Sequence, residues 1–469
     1  MKRTFDVISP IDGNVVATIE EASPGLIART LDKARKSQRE WRNTSISDRI
    51  SIIEGFVQAM EARSDEIASS ITQCMGRPIR FTPGEVAGMA DRARYMASIA
   101  EESLQDIIPS PKRGFTRYIR REPLGVVLVL APWNYPYLTA VNAIVPALLA
   151  GNSVVLKHSD QTPFAAEHFR EAFEVAGLPD GVFNVLHMNH DTTAQVLADD
   201  VIDHVAFTGS VSGGVAVQKT VANRVGRNRF IGLGLELGGN DPAYVRSDAN
   251  IDHAAINIVE GALFNSGQSC CGIERVYVHD AIWDSFIEKM VEETLTYRLG
   301  DPTDPATTLG PVARQRNADA IRVSVTQAIE AGAHPLIDVA RFPADRADTA
   351  YVAPQILTNV DHSMAFVTEE TFGPCVGVMR VSSDQQAIQM MNDSWYGLTA
   401  SIWSRDVEAG TEIAGQLETG TVFLNRCDYL DPALAWTGIK NSGRGVTLSS
   451  LGFEQMTRPK SFHLRTEVL

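Results

Sequence analysis

Hydrophobic residues recur along this chain with two different periods. In the first hundred residues the spacing is mostly helical. Ile27, Leu31, Ala34 and Trp41 fall on one face, and Ile50, Ile53, Val57 and Met60 on another, with Ser47 placed to cap the second segment. From about residue 124 the pattern changes to strand alternating with helix. The run Gly125–Leu130 is continuously apolar, as expected of a strand covered on both faces. A helix is expected from about Tyr137 to Leu149, then a strand over Ser153–Lys157. Thr162-Pro163 supplies a cap and a first-turn proline for a helix ending at Gly177. Val182–Leu186 and His204–Thr208 read as further strands. This alternation predicts a parallel, doubly wound sheet with its ligand site at the carboxyl ends of the strands. A turn-rich stretch from Gly300 to Pro311, followed by a second strand–helix series, suggests another α/β lobe. The segment from Phe462 to Val468 alternates like an exposed strand in need of a partner edge.

Composition narrows the class. The chain has 469 residues, 44% hydrophobic and 21% charged, enough for about three domains and a large core without disulfides. Its net charge of −15 argues against general nucleic-acid binding and against anionic lipid. The longest apolar stretch, Leu124 to Ala131, is far too short to span a bilayer. No apolar run follows Met1-Lys2-Arg3, so no signal peptide is expected. Five cysteines without a Cys-x-x-Cys pair make neither a disulfide framework nor a zinc set. His187 and His190 lie in a loop without further ligands, and no metal site is expected. The expectation is a soluble, cytoplasmic protein.

Four segments have chemical potential. Cys270, in Phe264-Asn-Ser-Gly-Gln-Ser-Cys270-Cys271, has small neighbours that would admit a substrate to a thiolate. Glu236 sits between leucines ahead of Gly238-Gly239, a setting that raises a carboxyl pKa toward general-base use. Asn134, in Ala131-Pro-Trp-Asn-Tyr-Pro136, follows the first parallel strand and could turn its amide toward a developing oxyanion. Phe207-Thr-Gly-Ser-Val-Ser-Gly-Gly214 joins a strand to a helix whose free N–H groups suit phosphate, although it is not Gly-x-Gly-x-x-Gly. Each segment has a plainer reading: a buried structural thiol, a strand-end ion pair, a proline-bounded turn, an ordinary loop. The residues taken singly leave both readings open.

Taken together and in order, from Ser9-Pro10-x-x-Gly13 to Gly438-x-Lys440-x-Ser442-Gly443, the segments resemble the NAD(P)-dependent aldehyde dehydrogenase superfamily. The resemblance implies that Cys270 is the nucleophile, Glu236 the general base and Asn134 the oxyanion-hole residue. It implies that Trp133, Lys157, Asp160, Gly209, Ser210, Gly214, Glu370 and Phe372 contact the cofactor, with Lys157 and Asp160 at the adenosine ribose. The implied reaction is oxidation of an aldehyde to a carboxylic acid through a cysteine thiohemiacetal and thioester, the latter hydrolysed by Glu236-activated water. A CoA-acylating enzyme and a catalytically silent binding or structural protein on the same fold are the alternatives.

Where the chain departs from the family pattern, the expectations change. Asp160 keeps an acid at the ribose position with a shorter arm, which favours NAD and leaves NADP possible. Asn142 stands where succinic-semialdehyde dehydrogenases usually carry an arginine, which argues against an acidic semialdehyde. Ala143 replaces a lysine that relays protons in some relatives. Tyr137, Asn142, Cys271, Tyr429 and Trp436 are the candidate substrate residues, and their aromatic rings suggest an apolar or aromatic aldehyde. The implied subunit has a Rossmann-type cofactor domain (1–102 and 123–235), an α/β catalytic domain (236–447) and a small β oligomerisation arm (103–122 and 448–469). A homodimer or homotetramer is the implied assembly.

Overall fold

The computed structural model describes residues 3–467. Val468, the last position of the expected terminal strand, lies outside the described residues, as do Met1 and Lys2.

The helical periods of the first hundred residues become four helices. Pro24–Trp41 buries Ile27, Leu31, Ala34 and Trp41, the face read from the sequence. Ile46–Glu61 begins two residues earlier than expected. Ser45, not Ser47, caps it, its Oγ accepting from the Asp48 N–H at 3.1 Å. Ser64–Met75 and Pro83–Leu104 complete the set. Ahead of them stands an antiparallel hairpin, Thr4–Ile8 with Val15–Glu20, which the helical reading missed. Its residues are mostly exposed or half-buried, so they carry little hydrophobic signal.

The strand–helix alternation becomes a six-stranded sheet. Its spatial order is Gly443–Arg444, Gly232–Glu236, His204–Thr208, Val126–Leu130, Ser153–Lys157, Phe183–Val185, parallel throughout except for the short Gly443–Arg444 edge. Val126–Leu130 is buried at every position. The chain leaves this strand in one direction and reaches His204–Thr208 on its other side. The loops after these two strands therefore face a topological switch point, where an open α/β sheet binds its ligand. The helix Phe164–Val175 ends before Gly177, which takes φ +77° as its left-handed stop. Thr162 does not cap this helix; its hydroxyl pairs with His158 Nδ1 at 3.2 Å.

A seven-stranded sheet holds the second series. Its order is His334–Pro335, Gln355–Thr358, Cys375–Val381, Ile273–His279, Asp241–Val245, Thr399–Trp403, Thr421–Leu424, and only the first of these is antiparallel. After it the chain returns to the first sheet through Gly443–Arg444, and Trp436, Leu448, Phe453 and Met456 join the core beneath that sheet. The terminal strand Thr457–Arg465 pairs with Phe115–Pro123 along its full length, from Thr457 opposite Pro123 to Arg465 opposite Phe115. Among the described residues, no helix is long and apolar enough to cross a membrane.

Candidate active site

The two sheets contribute to one cavity of about 360 Å³. Pro132, Trp133 and Asn134 enter it from the loop after Val126–Leu130, and Thr208, Gly209 and Ser210 from the loop after His204–Thr208. Glu236 and Leu237 end the next strand. Cys270, Arg314, Arg316, Glu370 and Phe372 arrive from the second series. An adjoining cavity of about 570 Å³ shares Trp133, Gly209, Ser210, Arg314 and Arg316 and adds Lys157, Ser159 and Asp160. A larger depression of about 900 Å³, lined by Arg3, Glu21, Ile27 and Asp199, contains none of the candidate residues.

Cys270 is half-buried and ends a loop held in an unusual backbone conformation. Asn265 and Ser266 both take positive φ, at 54° and 57°, as does Gly267 at 71°. A side chain on Gly267 would collide with the Gly373 carbonyl oxygen, so glycine is required there. Hydrogen bonds fasten the turn. Gln268 Nε2 donates to the Asn265 carbonyl at 2.9 Å, the Ala313 N–H donates to Gln268 Oε1 at 2.7 Å, and Ser266 Oγ donates to the Gly310 carbonyl at 2.8 Å. Asn134 belongs to the same network. Its Nδ2 donates one hydrogen to the Gln268 carbonyl at 3.2 Å, which orients the amide and leaves its second hydrogen unassigned. The backbone carbonyl of Asn134 accepts from Arg77 Nη2 at 2.6 Å and Asn265 Nδ2 at 3.1 Å. Arg77 in turn forms a buried ion pair with Glu85, whose other oxygen accepts the N–H groups of Tyr137 and Leu138.

Glu236 is held by two threonine hydroxyls, Thr447 at 2.5 Å and Thr208 at 3.1 Å. Burial raises its carboxyl above the usual range, while both hydroxyls and the charge of Arg92 oppose the rise. The glycine pair after it has a geometric purpose. A side chain on Gly238 would strike the Glu370 carboxylate, and one on Gly239 would strike the Cys270 carbonyl. The Gly239 N–H donates to Glu370 Oε1 at 2.9 Å. Phe372, at φ 51°, meets Trp133 edge to face at 5.7 Å. Glu274 fixes this stretch by accepting the N–H groups of Thr371 and Phe372 at 2.8–3.0 Å, along with Asn240 Nδ2.

The structure thus brings Cys270, Glu236, Asn134, Trp133, Gly209, Ser210, Glu370 and Phe372 to one cavity, with Lys157 and Asp160 in its extension. Gly213 lines the extension, but Gly214 does not; a Cβ there would press on Leu237 at 2.6 Å, so it serves helix–sheet contact. The candidate substrate residues are placed otherwise. Tyr137 is buried, its hydroxyl on His168 Nδ1 at 2.6 Å and its ring stacked on Phe169. Trp436 lies in the core beneath the first sheet. Tyr429 is partly exposed under the Arg426 guanidinium. Cys271 is buried and donates to Asp428 Oδ1 at 2.9 Å; its hydrogen bond with the Cys270 thiol and its burial both push its thiol up. Asn142 is buried and accepts from Arg92 Nη1 at 3.4 Å.

Arg92 was missed from sequence, and so were Thr447, Glu274, Arg77 and Arg314. Glu85 and Arg92 stand seven apart on the apolar face of Pro83–Leu104, among Met89 and Met96. Two charges on a buried stripe were a legible signal of buried pairing. The Arg92 Nη1 also donates to the Leu138 carbonyl at 2.7 Å, and no carboxylate among the described residues lies within ion-pair distance of it. Burial lowers its pKa, and the charges of Glu85, Glu236, Cys271 and Cys270 oppose that.

The residues fit a nicotinamide dinucleotide. The turn Thr208–Ser210 opens a helix N-terminus, and a side chain on Gly209 would meet the Phe207 ring at 2.8 Å. Arg314 Nε is buried without a partner between the two cavities. Lys157, Trp133, Ser210, Glu370 and Phe372 would hold such a group.

Comparison with known proteins agrees. The family model described as "Aldehyde dehydrogenase family" matches residues 1–462. A succinate-semialdehyde dehydrogenase [NADP(+)] of Mycobacterium avium is 33% identical over 457 residues, 97% of this chain and 95% of its own. The crystal structure of succinic semialdehyde dehydrogenase from Streptococcus pyogenes, in complex with NADP+, superposes with a TM-score of 0.93 at 29% identity, covering 98% of this chain and 100% of that one. An NAD-dependent aldehyde dehydrogenase from Sinorhizobium meliloti gives a TM-score of 0.94 at 32% identity, covering 100% and 92%.

Proposed function

The chain belongs to the aldehyde dehydrogenase family, and we propose that Cys270, Glu236 and Asn134 carry out its NAD(P)-dependent oxidation of an aldehyde to a carboxylic acid. The observation behind this reading is the convergence of a half-buried thiol, a raised carboxyl and an oriented amide on one cavity. The Cys270 thiolate adds to the aldehyde carbon, and the oxyanion accepts hydrogen bonds from Asn134 Nδ2 and the Cys270 backbone N–H. A nicotinamide dinucleotide, when bound, accepts the hydride lost by that carbon. Glu236 then takes a proton from water, which adds to the thioester and expels Cys270 as thiolate. Product analysis with and without CoA tests this route. Free acid in both is expected, and acyl-CoA would overturn it.

The proposed substrate is a short aldehyde bearing a carboxylate. Arg92 supports this: it is a buried cation without a carboxylate partner, bonded to Asn142 and close enough to feel the charges of Cys270 and Glu236. Asn142 holds no charge, but Arg92 brings one to the same place from another helix. The aromatic-substrate expectation rested on Tyr137 and Trp436, which are occupied in the core, and on Tyr429 beneath Arg426. An aldehyde panel compared by kcat/KM should favour succinate semialdehyde over hexanal and benzaldehyde. Arg92→Met should lower kcat/KM for the acidic aldehyde about tenfold or more and hardly change the neutral ones. Equal loss on all three would reduce Arg92 to a packing role.

We also infer a three-part subunit with seams near residues 235 and 447, and a homodimer or homotetramer in the cytoplasm. The paired strands Phe115–Pro123 and Thr457–Arg465 form a sheet of their own; isolated bridges at Ile107 and Lys112 meet the outer edge of the first, and the outer edge of Thr457–Arg465 has no strand partner among the described residues, which supports pairing with another subunit. Light scattering coupled to chromatography tests the assembly; a monomer would remove that inference.

A further inference from the structure

With the dinucleotide bound as proposed, the extension of the cavity holds its adenosine ribose, and the role assigned to Arg314 rests on that reading. Lys157 ends its strand there, and Asp160 follows in the next turn. From the other sheet's side, Arg314, just ahead of the helix Gln315–Glu330, and Arg316, in its first turn, reach the same space. Arg314 Nη2 lies 2.5 Å from Asp160 Oδ1, and Arg314 Nε is buried with no partner. Ser159 Oγ also donates to Asp160 Oδ1, at 3.3 Å. Arg316 is exposed and has no ion pair among the described residues.

Asp160 alone would favour a ribose 2′-hydroxyl and repel a 2′-phosphate. Its carboxylate is not alone. Burial raises its pKa, but the charge and hydrogen bond of Arg314, helped by Lys157, outweigh that and keep it ionised and committed to Arg314. The site therefore sets three cations against one carboxylate, a balance suited to a phosphate dianion. Guanidinium groups recognise phosphate oxygens through paired N–H donors, and the free Arg314 Nε and the unpaired Arg316 supply such donors.

We propose that Arg314 is a coenzyme-specificity residue that draws Asp160 away from the ribose and, with Lys157 and Arg316, binds a 2′-phosphate, so that NADP is preferred to NAD. A purely structural Arg314–Asp160 link between the two sheets would give no discrimination at the 2′ position.

Calorimetric titration of the full-length protein with NADP, NAD, 2′,5′-ADP and 5′-ADP tests this without turnover. NADP is expected to bind about tenfold or more tightly than NAD, and 2′,5′-ADP to exceed 5′-ADP similarly. Arg314→Ala should weaken NADP about tenfold or more and leave NAD within about threefold. Because Arg314 also ties two segments together, Arg316→Ala is the second variant; its side chain is free, and it should weaken NADP severalfold without affecting NAD. NAD binding as tightly as NADP, or either variant weakening both coenzymes alike, overturns the proposal while leaving the coenzyme site intact. Binding of neither coenzyme overturns the coenzyme reading itself and this proposal with it.

Discussion

The six-stranded and seven-stranded sheets meet at one cavity and furnish it by different means. The first sheet delivers the proline-bounded turn at Pro132–Asn134, an open helix start at Gly209–Ser210, Lys157, and the carboxylate of Glu236. Asn134 and Glu236 are fixed by side-chain bonds, whereas the Gly209–Ser210 turn is held mainly by its own serine cap. The second delivers loops that are tied down from several directions. The segment before Cys270 has three consecutive residues at positive φ and is fixed by Gln268, Asn265 and Ser266, while Thr371–Phe372 hangs from the buried carboxylate of Glu274. The difference matches the two tasks. A dinucleotide must enter and leave, so the Gly209–Ser210 turn can be held lightly, while Glu370 and Phe372, on its other side, are fixed by hydrogen bonds. A nucleophile must sit within a fraction of an ångström of its target, and that demands a rigid support.

The largest expected effect comes from that contrast. Cys270→Ala should reduce aldehyde oxidation on the order of 10⁴-fold or more, while coenzyme affinity, measured by fluorescence titration, stays within about twofold. Loss of coenzyme binding would show that the two surfaces are not separable. Glu236→Gln comes next, at roughly 10²–10⁴-fold in steady-state kcat. Its first-turnover NAD(P)H burst should survive in stopped flow, because the carboxylate serves the water and not the thiol. A vanished burst with normal coenzyme binding would assign Glu236 to thiol activation instead. With Glu236 as base, kcat should fall as pH drops through a value above the ordinary carboxylate range, since burial raises this group. Glu274→Gln is milder. It leaves one acceptor oxygen where the N–H groups of Thr371, Phe372 and Asn240 use two, so coenzyme KM should rise roughly tenfold with kcat less affected.

How far the sequence predicted these features depends on whether the signal was local. The strands Val126–Leu130, Ser153–Lys157 and His204–Thr208 were legible because continuous apolar runs followed by turn residues have no other good conformation. Cys270, Glu236 and Asn134 were legible only as a set in order, since each alone had a plainer reading. The hairpin Thr4–Ile8 with Val15–Glu20 was not legible, because its residues remain largely exposed. Nor were the supports of the site. Thr447 reaches Glu236 across 211 positions, and Arg314 reaches Asp160 across 154. Contacts of that span arise from the packing of whole sheets, which no local pattern encodes. The aromatic residues misled for the opposite reason. Tyr137 and Trp436 lie near the cavity in sequence order, but burial of a large ring in a core offers more free energy than lining a wet pocket.

The smallest expected effect separates the sheets by pH. In the first, His204 in its strand and His158 just after Lys157 are buried and pushed down to about 4, by burial above all, and His204 Nδ1 has no partner. A histidine whose folded value lies below its ordinary 6.5 binds fewer protons folded than unfolded. Its contribution is complete above that value and is lost as pH falls toward 4. In the second, burial raises Asp241 to about 8 and Glu274 to about 7, against ordinary values of 3.8 and 4.5. These groups bind more protons folded than unfolded. Their contribution is complete below the ordinary values and declines as pH rises toward 7 and 8. By these groups the first sheet is the more acid-sensitive half and the second the more alkali-sensitive, with the raised Glu236 adding an alkaline contribution at the end of Gly232–Glu236. Amide-exchange protection factors should show this, with Ser153–Lys157 and His204–Thr208 losing protection at pH 5, and Asp241–Val245 and Thr399–Trp403 at pH 9. Asp241→Asn should flatten the alkaline decline in Tm by a few degrees, about what 1 kcal/mol produces in a domain of this size. It keeps an acceptor for the Thr399 hydroxyl while removing the titrating group. An unchanged alkaline limb would mean that Asp241 stays protonated well above pH 9 or that neither sheet opens separately, and the contrast between the halves would then be one of catalytic furnishing alone.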